Sequence, residues 1–217
     1  MAKIEDMWLS PSPRPNGLQA TSDGLWVIDA GNNHLYLLDH EDGSVLVDVP
    51  TETYKSSGVA VGGGNVWVAS THSSRVYKLD EDGSTVKYWT SPGDGVLDAR
   101  DKGPEYVRPH GMEWVDGKMW VVAKPALRIY LVDPETMEVE RSIPTPGAAP
   151  HGIALDGDAI WCGDRAMAVI HKLSLEDGEV LDEIPVPAPE VHGVTIHDGA
   201  LIMCCDPSRR ICRIPLP

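Results

Sequence analysis

One interval governs this chain. A glycine followed by an alternating apolar segment recurs at Gly17, Gly58, Gly111, Gly152 and Gly193, at spacings of 41, 53, 41 and 41 residues. A second landmark keeps the same rhythm at Trp26, Trp67, Trp120 and Trp161, with Met203 taken as its counterpart in the fifth copy. A period near 41 with several short strands per copy marks the blades of a β-propeller. Few other architectures remain open to such a chain.

The fourth copy serves as the template. Ile153–Leu155 reads as strand A, Ala159–Cys162 as strand B, Ala168–Leu173 as strand C and Glu179–Ile184 as strand D. Asp-Gly pairs recur at Asp23-Gly24, Asp42-Gly43, Asp82-Gly83, Asp116-Gly117, Asp156-Gly157 and Asp198-Gly199, supplying the positive φ that a tight hairpin needs. Pro50, Pro92, Pro144 and Pro185 stop strand D where it leaves the sheet. The fifth copy ends after strand C, while Ile4–Pro11 stands spare before the first. That segment is expected to supply the missing outer strand. The sequence therefore predicts an all-β, five-bladed propeller over residues 1–217 as a single domain, each blade a four-stranded antiparallel sheet. The absence of Phe, with 7 Trp, 21 Gly and 18 Pro, suits such a turn-rich fold.

One spacing is longer by 12 residues, 53 against 41, and the excess falls in Ser91–Arg108. The stretch Gly93–Gly103 has no strand pattern, so it reads as a loop. It is either a solvated insertion or a lid bringing Glu105, Tyr106 and Arg108 to the site.

The formal charge of −15 argues against a nucleic-acid surface. No apolar run is long enough to cross a membrane, and Met1–Asp6 lacks a signal-like apolar region, so a cytoplasmic protein is expected. Cys162, Cys204, Cys205 and Cys212 form no CxxC pair and read as buried thiols.

The chemistry gathers just before the repeated glycine. The five preceding residues are Asn16, Ser57, His110, His151 and His192. Strand A lines the channel of a propeller, so these five ring its mouth. Strand B returns to the same face and adds Asp29, Ser70, Ala123, Asp164 and Asp206, with His72, Lys124 and Arg165 just beyond. Each His-Gly step taken singly is also what a structural turn would use. Three together, against Asn and Ser in the first two copies, favour a site.

Three imidazoles leave coordination positions open, so His110, His151 and His192 are candidate ligands of a divalent ion: Zn, Fe, Mn, Ni or Mg. Asp29, Asp164 and Asp206 are candidates to orient those imidazoles, or to serve as base. Asn16, Ser57, His72, Tyr106, Arg108, Lys124 and Arg165 are candidates for binding a small substrate, an anionic one included.

The unit Pro-His-Gly-Ile-Ala-Leu-Asp-Gly-Asp-Ala-Ile-Trp at Pro150–Trp161 resembles the repeat of streptogramin B lyase and related propellers, with P-x-G-I-A, then D-G, then an aromatic residue. That family has seven blades. The resemblance implies a lyase that opens a lactone-type ester by elimination, using a His, an acidic partner and a divalent metal. His151 and His192 match the family's Pro-His-Gly type positions, and Asp164 or Asp206 would be the acid. The expected function is thus a metal-dependent lyase or hydrolase acting on a small molecule at the channel mouth. The alternatives are a three-His non-haem iron oxygenase and a non-catalytic binding or scaffold propeller.

Overall fold

The structure is a computed structural model that describes residues 3–80, 82–93, 96–99, 103–187 and 191–216. Five four-stranded antiparallel sheets stand around an axis, as the repeats predict. The first contains β2 (Pro15–Thr21), β3 (Gly24–Asp29), β4 (His34–Leu38) and β5 (Val45–Pro50), preceded in the chain by β1 (Glu5–Leu9). The second contains β6 (Ser56–Gly62), β7 (Asn65–Ser70), β8 (Arg75–Leu79) and β9 (Thr85–Thr90). A hairpin, β10 (Val96–Ala99) and β11 (Gly103–Tyr106), separates it from the third: β12 (Arg108–Val115), β13 (Lys118–Lys124), β14 (Arg128–Val132) and β15 (Val139–Pro144). The fourth is β16 (Pro150–Asp156), β17 (Ala159–Asp164), β18 (Val169–Ser174) and β19 (Val180–Pro185). The fifth is β20 (Val191–His197), β21 (Ala200–Cys205) and β22 (Arg210–Pro215), and its outer strand is β1.

β1 pairs antiparallel with β22, Glu5 opposite Arg213 and Leu9 opposite Arg210. The N-terminal segment thus closes the ring. Arg209 reinforces this seam by donating to Ser10 O at 2.6 Å and Ser12 O at 3.1 Å.

The repeated glycine has a steric cause. A Cβ on Gly17 would lie 2.6 Å from Gly58 Cα, and one on Gly193 would lie 2.7 Å from Leu18 N. On Gly58, Gly111 or Gly152 it would overlap the backbone of the next blade outright. The five glycines therefore meet in a closed circle, each against its neighbour, and pinch the channel to a neck. The step reads as a turn in sequence, yet it lies inside strand A, where the pairing slips between Pro150 and Ile153. The same slip recurs in all five blades. This bulge re-aims the side chain before each glycine.

Between blades the core is apolar. Trp67, Trp120 and Trp161 are buried, and Trp67 stacks on Trp114 with ring centroids 5.9 Å apart. Met203 is not the fifth counterpart of these tryptophans. Trp161 faces Ala154, and the residue facing the equivalent Thr195 is Ile202. The Asp-Gly turns behave as expected, with Gly43 at φ 72°, Gly83 at 85°, Gly117 at 77° and Gly199 at 65°.

The long interval is not a plain loop. It forms the antiparallel hairpin β10–β11, with Val96 opposite Tyr106 and Ala99 opposite Gly103. Its short strands carry Gly103 and Pro104, which hid the pattern. Asp94, Gly95 and the tip 100–102 lie outside the described residues. Among the described residues no helix is long and apolar enough to cross a membrane.

Candidate functional site

Above the glycine neck the five preceding side chains do converge. Asn16, Ser57, His110, His151 and His192 are all at least nine-tenths buried and line one cavity of about 320 Å³. The imidazoles pack edge to face, with centroids 4.8 Å apart for His110 and His151 and 4.9 Å for His151 and His192. Arg14, Lys55, Thr71, His72, Arg165 and Asp206 complete its wall. A second cavity of about 350 Å³ adjoins it through Thr71 and His110, and is lined also by Arg108 and Lys124.

The hydrogen bonds fix the tautomers. His110 Nδ1 lies 3.2 Å from Arg108 O, and a carbonyl accepts only from N–H, so Nε2 carries the lone pair. His151 Nε2 lies 2.9 Å from Lys124 Nζ, which only donates, so here Nε2 accepts and Nδ1 holds the proton. That Nδ1, like Asn16 Oδ1, is buried without a hydrogen-bond partner among the described residues. Unpaired buried polar atoms are rare and costly, and two at one mouth mark it as a site for polar ligands.

Burial, with Lys124 beside it, pushes the His110 pKa down to about 3. Burial, and then the repulsion that a charge would meet beside His110 and Lys124, likewise hold His151 well below its ordinary value. Both rings are therefore neutral. Lys124 is pushed down to about 8, chiefly by burial, with Asp164 opposing and Arg165 adding to the fall. His192 Nε2 lies 3.5 Å from Asp206 Oδ2. Asp206 also receives Arg14 in a two-pronged pair at 2.9 and 2.8 Å. Burial works to raise the Asp206 pKa, but Arg14 and His192 outweigh it and hold the carboxyl low.

Of the expected carboxylates, only Asp206 faces an imidazole. Asp29 accepts the backbone amides of Arg14, Gly31 and Asn32, and Asp164 those of Ala149 and Met167. Ser70 holds Tyr54 N in the same way, and Ala123 has no polar side chain. These strand ends tie down their own blade's loops. The register explains the difference: Asp29 pairs with Pro15 and Asp164 with Pro150, whereas Cys205 pairs with Val191. Asp206 is one residue further on, so it turns inward. Its true counterparts are Ala30, Thr71, Lys124 and Arg165, an inner column that the sequence reading did not separate. Arg14 and Lys55, three residues before their glycines as Arg108 is, were also missed. The same column alignment identifies them.

Ser57 lines the cavity, but its hydroxyl is engaged. It donates to Pro109 O at 3.0 Å and receives Thr71 Oγ1 at 2.6 Å. His72 sits on a single 3-10 turn with its ring edge-on to Tyr54 at 5.4 Å. Tyr106 is placed on β11 by its backbone, and its side chain lies outside the described residues.

The three histidines do not fit a divalent ion as they stand. Among the described residues no group of three or more His, Cys, Asp and Glu side chains is arranged to hold one. The Lys124 ammonium already occupies His151 Nε2. Two unit charges ~4 Å apart repel by about 4 kcal/mol at an effective dielectric near 20, and a dication would double that. A metal and this ammonium would not share His151.

The fold and mouth define a five-bladed β-propeller with a histidine-lined, cationic cavity above a closed neck. No family model matches the chain, and no curated protein matches it. Solved structures do. The glutaminyl cyclase of Myxococcus xanthus superposes with a TM-score of 0.75 at 11% identity, covering 97% of this chain and 95% of that one. A streptogramin B lyase gives 0.59 at 17% identity, covering 99% and 98%. The virginiamycin B lyase of Staphylococcus aureus gives 0.56 at 21% identity, covering 99% of this chain and 71% of that one. The likeness to lyase-type propellers expected from the repeat is thus borne out as a likeness of fold.

Proposed function

We propose that this protein is an enzyme that moves protons on a small anionic molecule bound at the propeller mouth, as a lyase or hydrolase. One observation carries the reading: two neighbouring buried imidazoles have opposite partners, Lys124 at His151 and Asp206 at His192. Pairs pushed apart in this way are how a site separates its acid from its base. Asp206 stabilises positive charge on His192, which suits His192 to take a proton. Neutral His151 shares a proton with Lys124. Among the described residues, five cationic side chains, Arg14, Lys55, Arg108, Lys124 and Arg165, face one carboxylate, Asp206, in a chain of formal charge −15. That local inversion of charge selects anions.

The test is exchange in deuterated water, followed by proton NMR, over a panel of small oxo, hydroxy and lactone carboxylates. Wild-type protein is expected to exchange or eliminate the proton beside the carbonyl. His192→Ala is expected to lose about 10²- to 10⁴-fold of that rate. Equal rates in the two proteins would overturn the reading. The near full-length superposition on a glutaminyl cyclase favours a second reading, cyclisation of a glutaminyl substrate. Ammonia release from glutaminyl peptides separates the two.

A further inference from the structure

Lys124 stands apart from the other cations of the mouth. It is half-buried, yet its hydrogen-bond partner is a neutral imidazole, and it forms no ion pair among the described residues. Asp164, whose charge it feels, has both oxygens on backbone amides. Buried ammonium groups are ordinarily paired with carboxylates. Without one, burial and Arg165 both act against its charge, which favours the free amine.

Its surroundings suit a particular ligand. Lys124 opens onto the second cavity, where Arg108 is exposed and forms no ion pair among the described residues. Pro125, Leu127 and Ala148 supply an apolar wall, and His110 presents its lone-pair nitrogen nearby. The cavity, about 350 Å³, has room for a molecule of a few carbons.

We propose that Lys124 captures carbonyl compounds: its Nζ condenses with the aldehyde or ketone carbon of a small oxo acid, whose carboxylate lies against Arg108, to give a protonated imine. The proposal rests on the reading of the mouth as a proton-transfer site for anions. In the step, the ammonium passes one proton to His151 Nε2. The freed nitrogen pair forms the N–C bond, and the C=O π pair moves to oxygen, which takes the proton back from His151. A second proton passes from the nitrogen to that oxygen, which leaves as water as the C=N bond forms, so His151 is neutral again and one positive charge remains on nitrogen. Ammonium plus carbonyl thus give iminium plus water, with no oxidant or reductant. A protonated imine withdraws electrons from the adjoining carbon, which makes its proton easier to remove.

The test is reductive trapping. The protein is incubated at pH 8 with glyoxylate or with pyruvate and sodium cyanoborohydride, then read by intact mass and peptide mapping. One reduced adduct per chain is expected, on Lys124 ahead of every other lysine, because it stands beside an accepting imidazole nitrogen on the wall of a cavity. Lys124→Arg, which keeps the charge, should lose that adduct. An adduct spread over many lysines, or none with either oxo acid, overturns the proposal. Mapping on wild-type protein decides this even if the variant fails to fold. Should trapping fail while His192→Ala still abolishes deuterium exchange, the lysine claim falls and the proton-transfer reading stands. Adduct without exchange leaves the reverse.

Discussion

Blades 1 and 2 and blades 3 to 5 place the same backbone step at the same radius and do different things with it. On the first side Ser57 closes a hydroxyl chain from Thr71 to Pro109 O, so its polar group is used internally. On the other side three imidazoles crowd together with an ammonium, and one ring nitrogen has no partner. The glycine is common to both because the neck demands it. The residue before it is free of that demand, and so carries the chemistry.

The comparison breaks most completely at the glycines. Gly152→Ala and Gly58→Ala, one from each side, should both destabilise by about 3 kcal/mol or more, since a rigid backbone cannot yield to the added carbon. Circular dichroism and urea melts check this, and folding of either variant would show that the neck is softer than it looks. The next largest contrast is functional: His192→Ala loses the exchange activity while Ser57→Ala keeps it within about tenfold.

A third contrast lies in pH. The His110 pKa falls to about 3 in the fold, against an ordinary 6.5. Unfolded chains therefore bind the extra proton first, so stability is full above pH 6.5 and declines as pH drops toward 3. By pH 5 the loss is about 2 kcal/mol at 1.36 kcal/mol per unit. His110→Asn should flatten that slope in urea melts, and an unchanged slope would count against a buried neutral ring. The smallest effect is the Ser57→Ala stability change, about 1 kcal/mol for a hydrogen bond lost inside the protein.

Much of this was legible in the sequence. The blade count, the closing N-terminal strand and the ring before the glycines follow from spacing alone, because repeated contacts impose repeated residues. What was lost is instructive. Met203 was read for Ile202 because the fifth copy replaces the tryptophan that marks the register. Asp29 and Asp164 were read as partners of the histidines because alternation at a strand end cannot show that a carboxylate turns back to its own loop. The hairpin at Val96–Tyr106 was read as a loop because glycine and proline interrupt it. The contact of Lys124 with His151 crosses from one blade to the next, and no local pattern records it. It also sets an ammonium at the imidazole nitrogen that a metal centre built on the three histidines would need.

The seam between β1 and β22 has a consequence for how the molecule comes into being. Residue 5 must find residue 213, so the fifth blade cannot be finished until residue 213 has been made. Four blades can assemble in order as they emerge, each from neighbouring residues. The β1 segment, with its apolar Met7 and Trp8, has to wait for its partner strand until the other four blades have been made. Ring closure is then the longest-range event in folding, and the slowest by topology.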